Sequence, residues 1–93
     1  MVVSFEEAAK MLHMEKKKLV EEGLKAYSRE RLRELRAEIT AIYLRYGVSS
    51  LKELDEKINK GELNESDTFD DFTRLDYLES DEEKISNIME KLT

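Results

Sequence analysis

Two series of apolar residues, spaced alternately three and four positions apart, constrain this chain more than any other feature. Such spacing is the a/d pattern of a coiled-coil-like helix, in which one narrow stripe is buried against a partner. The first series consists of Leu32, Leu35, Ile39, Ile42 and Tyr46. The second consists of Leu75, Leu78, Glu82, Ile85, Met89 and Leu92, with Glu82 as its one polar member. The two series therefore predict two long helices.

The segment between the two series predicts a corner that contains one short helix. Gly47 is placed to be the left-handed residue that ends the first long helix, with Val48 folding back onto its last turn. Ser50 is expected to cap the next helix, and Glu53 completes a capping box three residues later. Gly61 is expected to end this helix after roughly ten residues. A helix of that length is unstable alone, so it must dock on the long helices.

The N-terminal segment predicts a helical corner of its own. Ser4 and Glu7 match a capping box, so a short helix is expected over about residues 5–12. His13 and Met14 are expected to form a turn, after which a second helix begins.

Three helix boundaries are left open by the sequence. Gly23 either ends the second helix or adds a penalty of about 1 kcal/mol within it. Ser66 or Asp67 is expected to cap the last helix. Ser80 and Glu83 match a further capping box, so the last helix either breaks at Ser80 or continues through it, and a continuous helix is favoured.

The predicted fold is therefore all-α: a long antiparallel helical hairpin, coiled-coil-like and bundle-like, with a short docked helix and a short N-terminal helix. One domain is expected over residues 1–93, with a helix-turn-helix-like segment at 1–25 and the hairpin at 26–93.

Composition narrows the class of protein. Charged residues make up 41% of the chain and there is no Cys, Trp, Pro or Gln, a mix typical of thermophiles. The lack of cysteine excludes a disulfide scaffold and a thiolate metal site. No stretch is apolar enough for a signal peptide or a membrane span, so a cytoplasmic protein without membrane contact is expected.

No residue pattern indicates catalysis. The chain has one histidine, His13, which is expected to be a turn or surface residue, and it has no glycine-rich phosphate loop. The acidic strings ESDTFDDF and ESDEEK lack the spacing of a calcium loop. The sequence therefore predicts no enzyme, no catalytic or metal-binding residues and no cofactor.

Charge is distributed unevenly along the chain. Residues 1–44 carry nine basic and eight acidic side chains, whereas residues 45–93 carry seven basic and fourteen acidic ones. The two halves either pair with each other in the folded protein or mark two binding faces.

The stretch FEEAAKMLHMEKKKLVEEGL resembles a helix-turn-helix, with small alanines, a buried-type Leu12, a turn and a lysine-rich second helix. In that interpretation, the residues that contact DNA phosphates or base edges are Lys10, Lys16, Lys17, Lys18 and Lys25. The alternative is an ordinary helical corner with solvated lysines.

Aromatic residues are more numerous than a narrow seam requires. Phe69, Phe72 and Tyr46 are expected to pack the junction where the short helix docks. Tyr43 and Tyr77 fall outside the a/d register, so they are expected to be exposed anchors for a partner.

The combination of EEAAKML, a long Arg/Glu helix, YGVSS, a Glu-Leu helix ending in Gly-Glu, and DYLE resembles a group of small helical, mostly archaeal proteins. These resemble antitoxins of toxin–antitoxin pairs. The resemblance implies a non-catalytic protein that binds and neutralises a small basic toxin enzyme. A homodimer is also expected. The expected contact residues are Tyr43, Asp67, Asp70, Asp71, Asp76, Tyr77 and Glu79. A DNA-binding regulator acting through residues 5–25 and a structural helical adaptor are the alternatives.

Overall fold

The two apolar series pack against each other in the computed structural model, which describes residues 2–92. Four helices follow in chain order: α1 (Phe5–Met11), α2 (Lys16–Tyr46), α3 (Leu51–Asn59) and α4 (Glu65–Leu92). No strand occurs within the described residues. The helices α2 and α4 form an antiparallel hairpin, α3 lies at its corner against α4, and α1 packs on the start of α2. The all-α hairpin with two short helices is confirmed.

A single apolar cluster joins α2, α3 and α4. Its most deeply buried members, Leu35, Leu54, Leu75 and Leu78, expose 0% of their surface. The complete cluster consists of Leu35, Ile39, Ile42, Val48, Leu54, Leu75 and Leu78. Burial of each such side chain contributes about 1.5–3 kcal/mol relative to exposure. The cluster is therefore the main stabilising element, and α3 belongs to it through Leu54.

The corner after α2 has the geometry that its sequence predicts. Gly47 has φ 66° and ψ 34°, the left-handed conformation. Its N–H donates to the carbonyl of Leu44 at 3.2 Å, and the N–H of Val48 donates to that of Tyr43 at 3.0 Å. These two bonds form a Schellman motif, and Val48 is buried beneath the turn. The chain is thereby turned from α2 toward α3.

The cap of α3 differs by one residue from the expected capping box. Ser50 Oγ accepts from the N–H of Glu53 at 3.1 Å, as expected. The Glu53 carboxylate, however, accepts from the N–H of Ser49 at 2.9 Å rather than from Ser50. Lys57 of α3 donates from Nζ to the carbonyl of Tyr46 at 3.0 Å, which satisfies an end group of α2 and ties the two helices together.

Both long helices are continuous where the sequence leaves a choice. The helix α2 runs unbroken through Gly23, and α4 runs unbroken through Ser80. Glu82, the polar member of the second series, lies at the edge of the seam and accepts from Arg36 Nε at 3.0 Å. This cross-helix ion pair allows α4 to carry a carboxylate without breaking.

The start of α4 lies before both of its expected caps. Neither Ser66 nor Asp67 caps the helix, because Glu65 is already its first residue. Asn64 takes this place: its Oδ1 accepts from the N–H of Ser66 at 2.9 Å. Thr68, in the first turn of α4, is buried, and its Oγ1 donates to the carbonyl of Asn64 at 3.0 Å.

We expect Gly47→Ala to destabilise the protein by about 1 kcal/mol, because an alanine there must adopt the left-handed conformation. Gly23→Ala is the matched control: it lies within α2, and a Cβ added there meets nothing within 4 Å. It should stabilise by about 0.5–1 kcal/mol, through helix propensity. Urea unfolding followed by circular dichroism measures both. Equal effects of the same sign at the two positions would contradict the assigned corner.

Candidate protein-interaction surface

The side of α4 that faces away from α2 carries two exposed aromatic rings. Phe69 is 63% exposed and Tyr77 is 55% exposed. They lie eight residues apart, with Thr73 between them, so helical periodicity places them on one face. Exposed Asp70 and Asp76 lie on the same side. We call Phe69, Asp70, Thr73, Asp76 and Tyr77 the outer face of α4.

Tyr77 is held in position by the hairpin. The Arg74 guanidinium lies 5.7 Å from the centroid of the Tyr77 ring, within cation–π range. Arg74 is itself fixed, since its Nη2 donates to Glu38 Oε2 of α2 at 2.8 Å. An exposed ring that is restrained in this way loses less conformational entropy when a partner binds it.

A cleft between α3 and α4 lies beside the outer face. It has a volume of about 240 Å³. Phe69 lines it together with Phe72 and Ile58, and the carboxylates of Asp55 and Glu65 border it. An apolar wall with carboxylates beside it suits a lysine or arginine side chain, whose methylene stem packs while its charged end meets the acid.

Two of the predicted contact residues bond to each other instead of facing solvent. Tyr43 Oη donates to Glu79 Oε1 across the hairpin. Tyr43 is partly buried against the apolar cluster, so the expectation that it is exposed is wrong. Burial, together with the hydrogen bond to Glu79, raises the pKa of Tyr43 well above its usual range. Residues beside an a/d stripe flank the helix contact, and Tyr43, next to Ile42, occupies such a position.

Asp71 closes the corner end of the hairpin. Its carboxylate accepts from Arg45 Nη1 at 2.7 Å and from the hydroxyl of Tyr46. The hydrogen bond from Tyr46 and the nearby Arg45 hold the pKa of Asp71 below its usual value, while the same bond raises the pKa of Tyr46. Asp71 therefore acts within the fold. Of the seven expected contact residues, Asp67, Asp70, Asp76 and Tyr77 remain exposed.

Phe69 is the surface residue that the sequence analysis missed. It was expected to pack the junction together with Phe72 and Tyr46, which are indeed partly buried against the cluster. The expectation is wrong for Phe69. Counting back from Leu75 at intervals of four and three reaches Asp71 and Thr68, so the register of the second series already places Phe69 outside the seam.

The lysines of the N-terminal segment are largely paired with acids. Lys16 Nζ lies 2.6 Å from Glu6 Oε1, and this hydrogen bond lowers the pKa of Glu6. Lys18 and Lys25 lie 3.4 Å and 3.8 Å from Glu22. Within residues 2–92, exposed Lys10 and Lys17 have no carboxylate within ion-pair distance.

The turn between α1 and α2 is only partly of the helix-turn-helix kind. His13 has φ 56°, so it adopts the left-handed conformation in which such turns usually have glycine. Leu12, expected to be buried, is exposed, because α1 contacts α2 through Ala9 instead. DNA binding stays a prediction, and Lys10 and Lys17 are its candidate residues without an ion-pair partner among the described residues.

If this segment binds DNA, the protein should retard DNA from upstream of its own gene in a gel-shift assay. This binding should weaken steeply with salt, and the double substitution Lys10→Glu with Lys17→Glu should abolish it. Lys52→Glu with Lys84→Glu changes the same charge at exposed positions elsewhere and is the control. A lack of retardation at low salt would exclude DNA binding by this segment.

No three His, Cys, Asp or Glu side chains of the described residues come close enough to hold a metal ion. None of the described helices is both long and apolar enough to cross a bilayer.

We expect Asp71→Asn to destabilise the protein at pH 7 and to matter progressively less in acid. The depressed pKa means that the ionised carboxylate stabilises the fold above about pH 4, its unfolded pKa. This contribution is lost as pH falls through the lower folded pKa. Urea unfolding of both proteins at pH 7 and pH 3 measures the difference. A difference in unfolding free energy that is unchanged at pH 3 would contradict the role of Asp71.

Comparison with known proteins finds one family model that matches the whole length and one relative that matches most of it. Residues 1–93 match the model of the family described as "Uncharacterized protein MJ0235 family". The chain is 32% identical over 75 residues to the uncharacterized protein MJ0235 of Methanocaldococcus jannaschii, a match that covers 81% of this chain and 92% of that protein. No solved structure matches. The relative is archaeal, as the resemblance in the sequence implied, and the chain belongs to the MJ0235 family.

Proposed function

We propose that this protein is a non-catalytic binding protein that neutralises a small basic enzyme, in the manner of an antitoxin. The observation that carries the proposal is the outer face of α4, where two exposed aromatic rings stand among free carboxylates. Aromatic side chains dominate the energetics of protein interfaces, and soluble proteins seldom leave them grouped in solvent.

Electrostatics favours a basic partner. Asp67, Asp70 and Asp76 are exposed on α4, and none has a cation within ion-pair distance among the described residues. Such carboxylates attract a positively charged protein and raise the association rate, while the aromatic rings supply the affinity after contact. The cleft beside Phe69 adds a place for one basic side chain of the partner.

The hairpin supports this role by holding the face rigid. The outer face lies on a helix whose opposite side is locked by Leu75 and Leu78 in the apolar cluster. Little of the binding free energy is then spent on ordering the protein, so a small surface gives useful affinity.

The proposal predicts a stable complex with a small basic protein encoded beside this chain's gene. Phe69→Ala with Tyr77→Ala should raise the dissociation constant by about 100-fold or more, as expected for two hot-spot side chains. Leu44→Ala is the control, because Leu44 is 74% exposed on the side of α2 opposite α4. Isothermal titration of the co-expressed, separated proteins measures the constants.

A second pair of substitutions tests the electrostatic contribution to the association rate separately from the contribution of the aromatic rings to affinity. Asp70→Asn with Asp76→Asn should slow association and weaken its salt dependence, with little change in dissociation. Failure to co-purify with the neighbouring product at low and moderate salt would contradict the proposal. So would an unchanged affinity of the Phe69→Ala, Tyr77→Ala protein.

A further inference from the structure

The N-terminal part of the chain extends beyond the end of the hairpin. Arg36 pairs with Glu82, so the antiparallel course of α4 brings Leu92, ten residues later, beside the region of Ala26. The preceding turns of α2 therefore have α1 as their neighbour in place of α4. We call residues 2–25 the arm.

The arm contains an open apolar groove between its two helices. The groove has a volume of about 490 Å³. Val3 and Phe5 line it from the side of α1, and Val20 and Leu24 line it from α2. All four side chains are exposed, and Phe5 exposes 64% of its surface. Gly23 lies among them with no atom within 4 Å of an added Cβ, which lets a helix approach the backbone closely.

Charge distinguishes the arm from the rest of the molecule. Residues 2–25 carry five basic and five acidic side chains, so they have no net charge. The formal charge of −6 therefore belongs entirely to the remainder. A strongly charged partner gains no electrostatic attraction from a neutral arm. A surface that is itself neutral and apolar can bind the arm without repulsion.

The arm of a second copy meets this condition, because it is equally neutral and equally apolar. The molecule is 60 Å long, and the arm lies at one end of the hairpin. When two copies are joined by their arms, their acidic portions lie at opposite ends of the dimer. The distance between these portions is then many times the electrostatic screening length, which is about 8 Å at physiological salt. Contacts along the hairpins would instead bring the acidic helices together.

We propose that two copies of this chain form a dimer by packing their arms together, with the groove of each covered by the arm of the other. A two-fold contact of this kind is self-complementary and closed, so assembly stops at the dimer. The outer faces of α4 remain free, one on each copy. The arm comprises only residues 2–25, so we expect a smaller contact than that of a permanent dimer and a dissociation constant of about micromolar order.

Sedimentation equilibrium of the full chain over a wide concentration range tests the proposal. Wild-type protein should shift from monomer to dimer, and Val20→Glu with Leu24→Glu should weaken the association at least about 100-fold, because charges would be buried unpaired. Leu44→Glu with Ile88→Glu adds the same charge at exposed positions outside the arm and should leave the dimer intact. Circular dichroism shows that each variant is folded.

A second measurement locates the contact without changing the groove. The chain has no cysteine, so a nitroxide can be attached to Met11→Cys, which is exposed on α1. Mixed with an isotopically labelled copy, it should broaden the methyl signals of Val20 and Leu24, whereas a nitroxide at Leu44→Cys should not.

The proposal would be overturned by a monomer at all concentrations, by a dimer that the control pair weakens equally, or by broadening from Leu44→Cys instead of Met11→Cys. A monomeric chain whose arm binds a different protein would also overturn it. None of these results depends on the partner proposed for the outer face of α4.

Discussion

The packing of α2 on α4 holds this structure together. Leu35, Leu75 and Leu78 are removed from solvent only because the two long helices lie side by side. A chain of this size buries little apolar surface, so one continuous cluster supplies most of the stabilisation. The short α3 persists because Leu54 enters the same cluster, and every exposed feature of α4 is positioned by its buried side.

Polar contacts at the edge of this seam set the register without adding much stability. Arg36–Glu82, Arg74–Glu38 and Arg45–Asp71 each join α2 to α4, and each has at least one largely exposed partner. Exposed ion pairs contribute roughly 0–1 kcal/mol. A slip of the helices by one turn would separate these partners, so the pairs favour one alignment and thereby fix the positions of Tyr77 and the free carboxylates.

Local chemistry made most of the fold predictable. The a/d spacing identified both long helices, and Gly47, Ser50 and Gly61 identified the corner because a cap or a left-handed residue acts within a few residues of itself. Apart from the caps of α3 and α4 and the exposure of Leu12, the errors concern side chains that lie beside or outside the seam. Whether a side chain such as Tyr43 is covered depends on how closely the helices approach and on what the facing helix offers, here Glu79.

The candidate surfaces were less predictable than the fold. The register of the second series contained the information that Phe69 faces outward, yet aromatic character suggested burial. The cleft beside α3 and the groove of the arm depend on how short helices dock, which the sequence pattern does not specify. Acidic composition alone also overestimates the number of carboxylates that are free to bind a partner, because Asp71 and Glu79 accept hydrogen bonds within the hairpin.

The outer face of α4 is the surface that we propose a partner covers. Hydroxyl-radical footprinting of the co-purified complex and of the free protein tests it most directly. Modification of Phe69 and Tyr77 should fall strongly in the complex, whereas modification of Leu44 should be unchanged. Undiminished modification of both aromatic rings in a stable complex would contradict it.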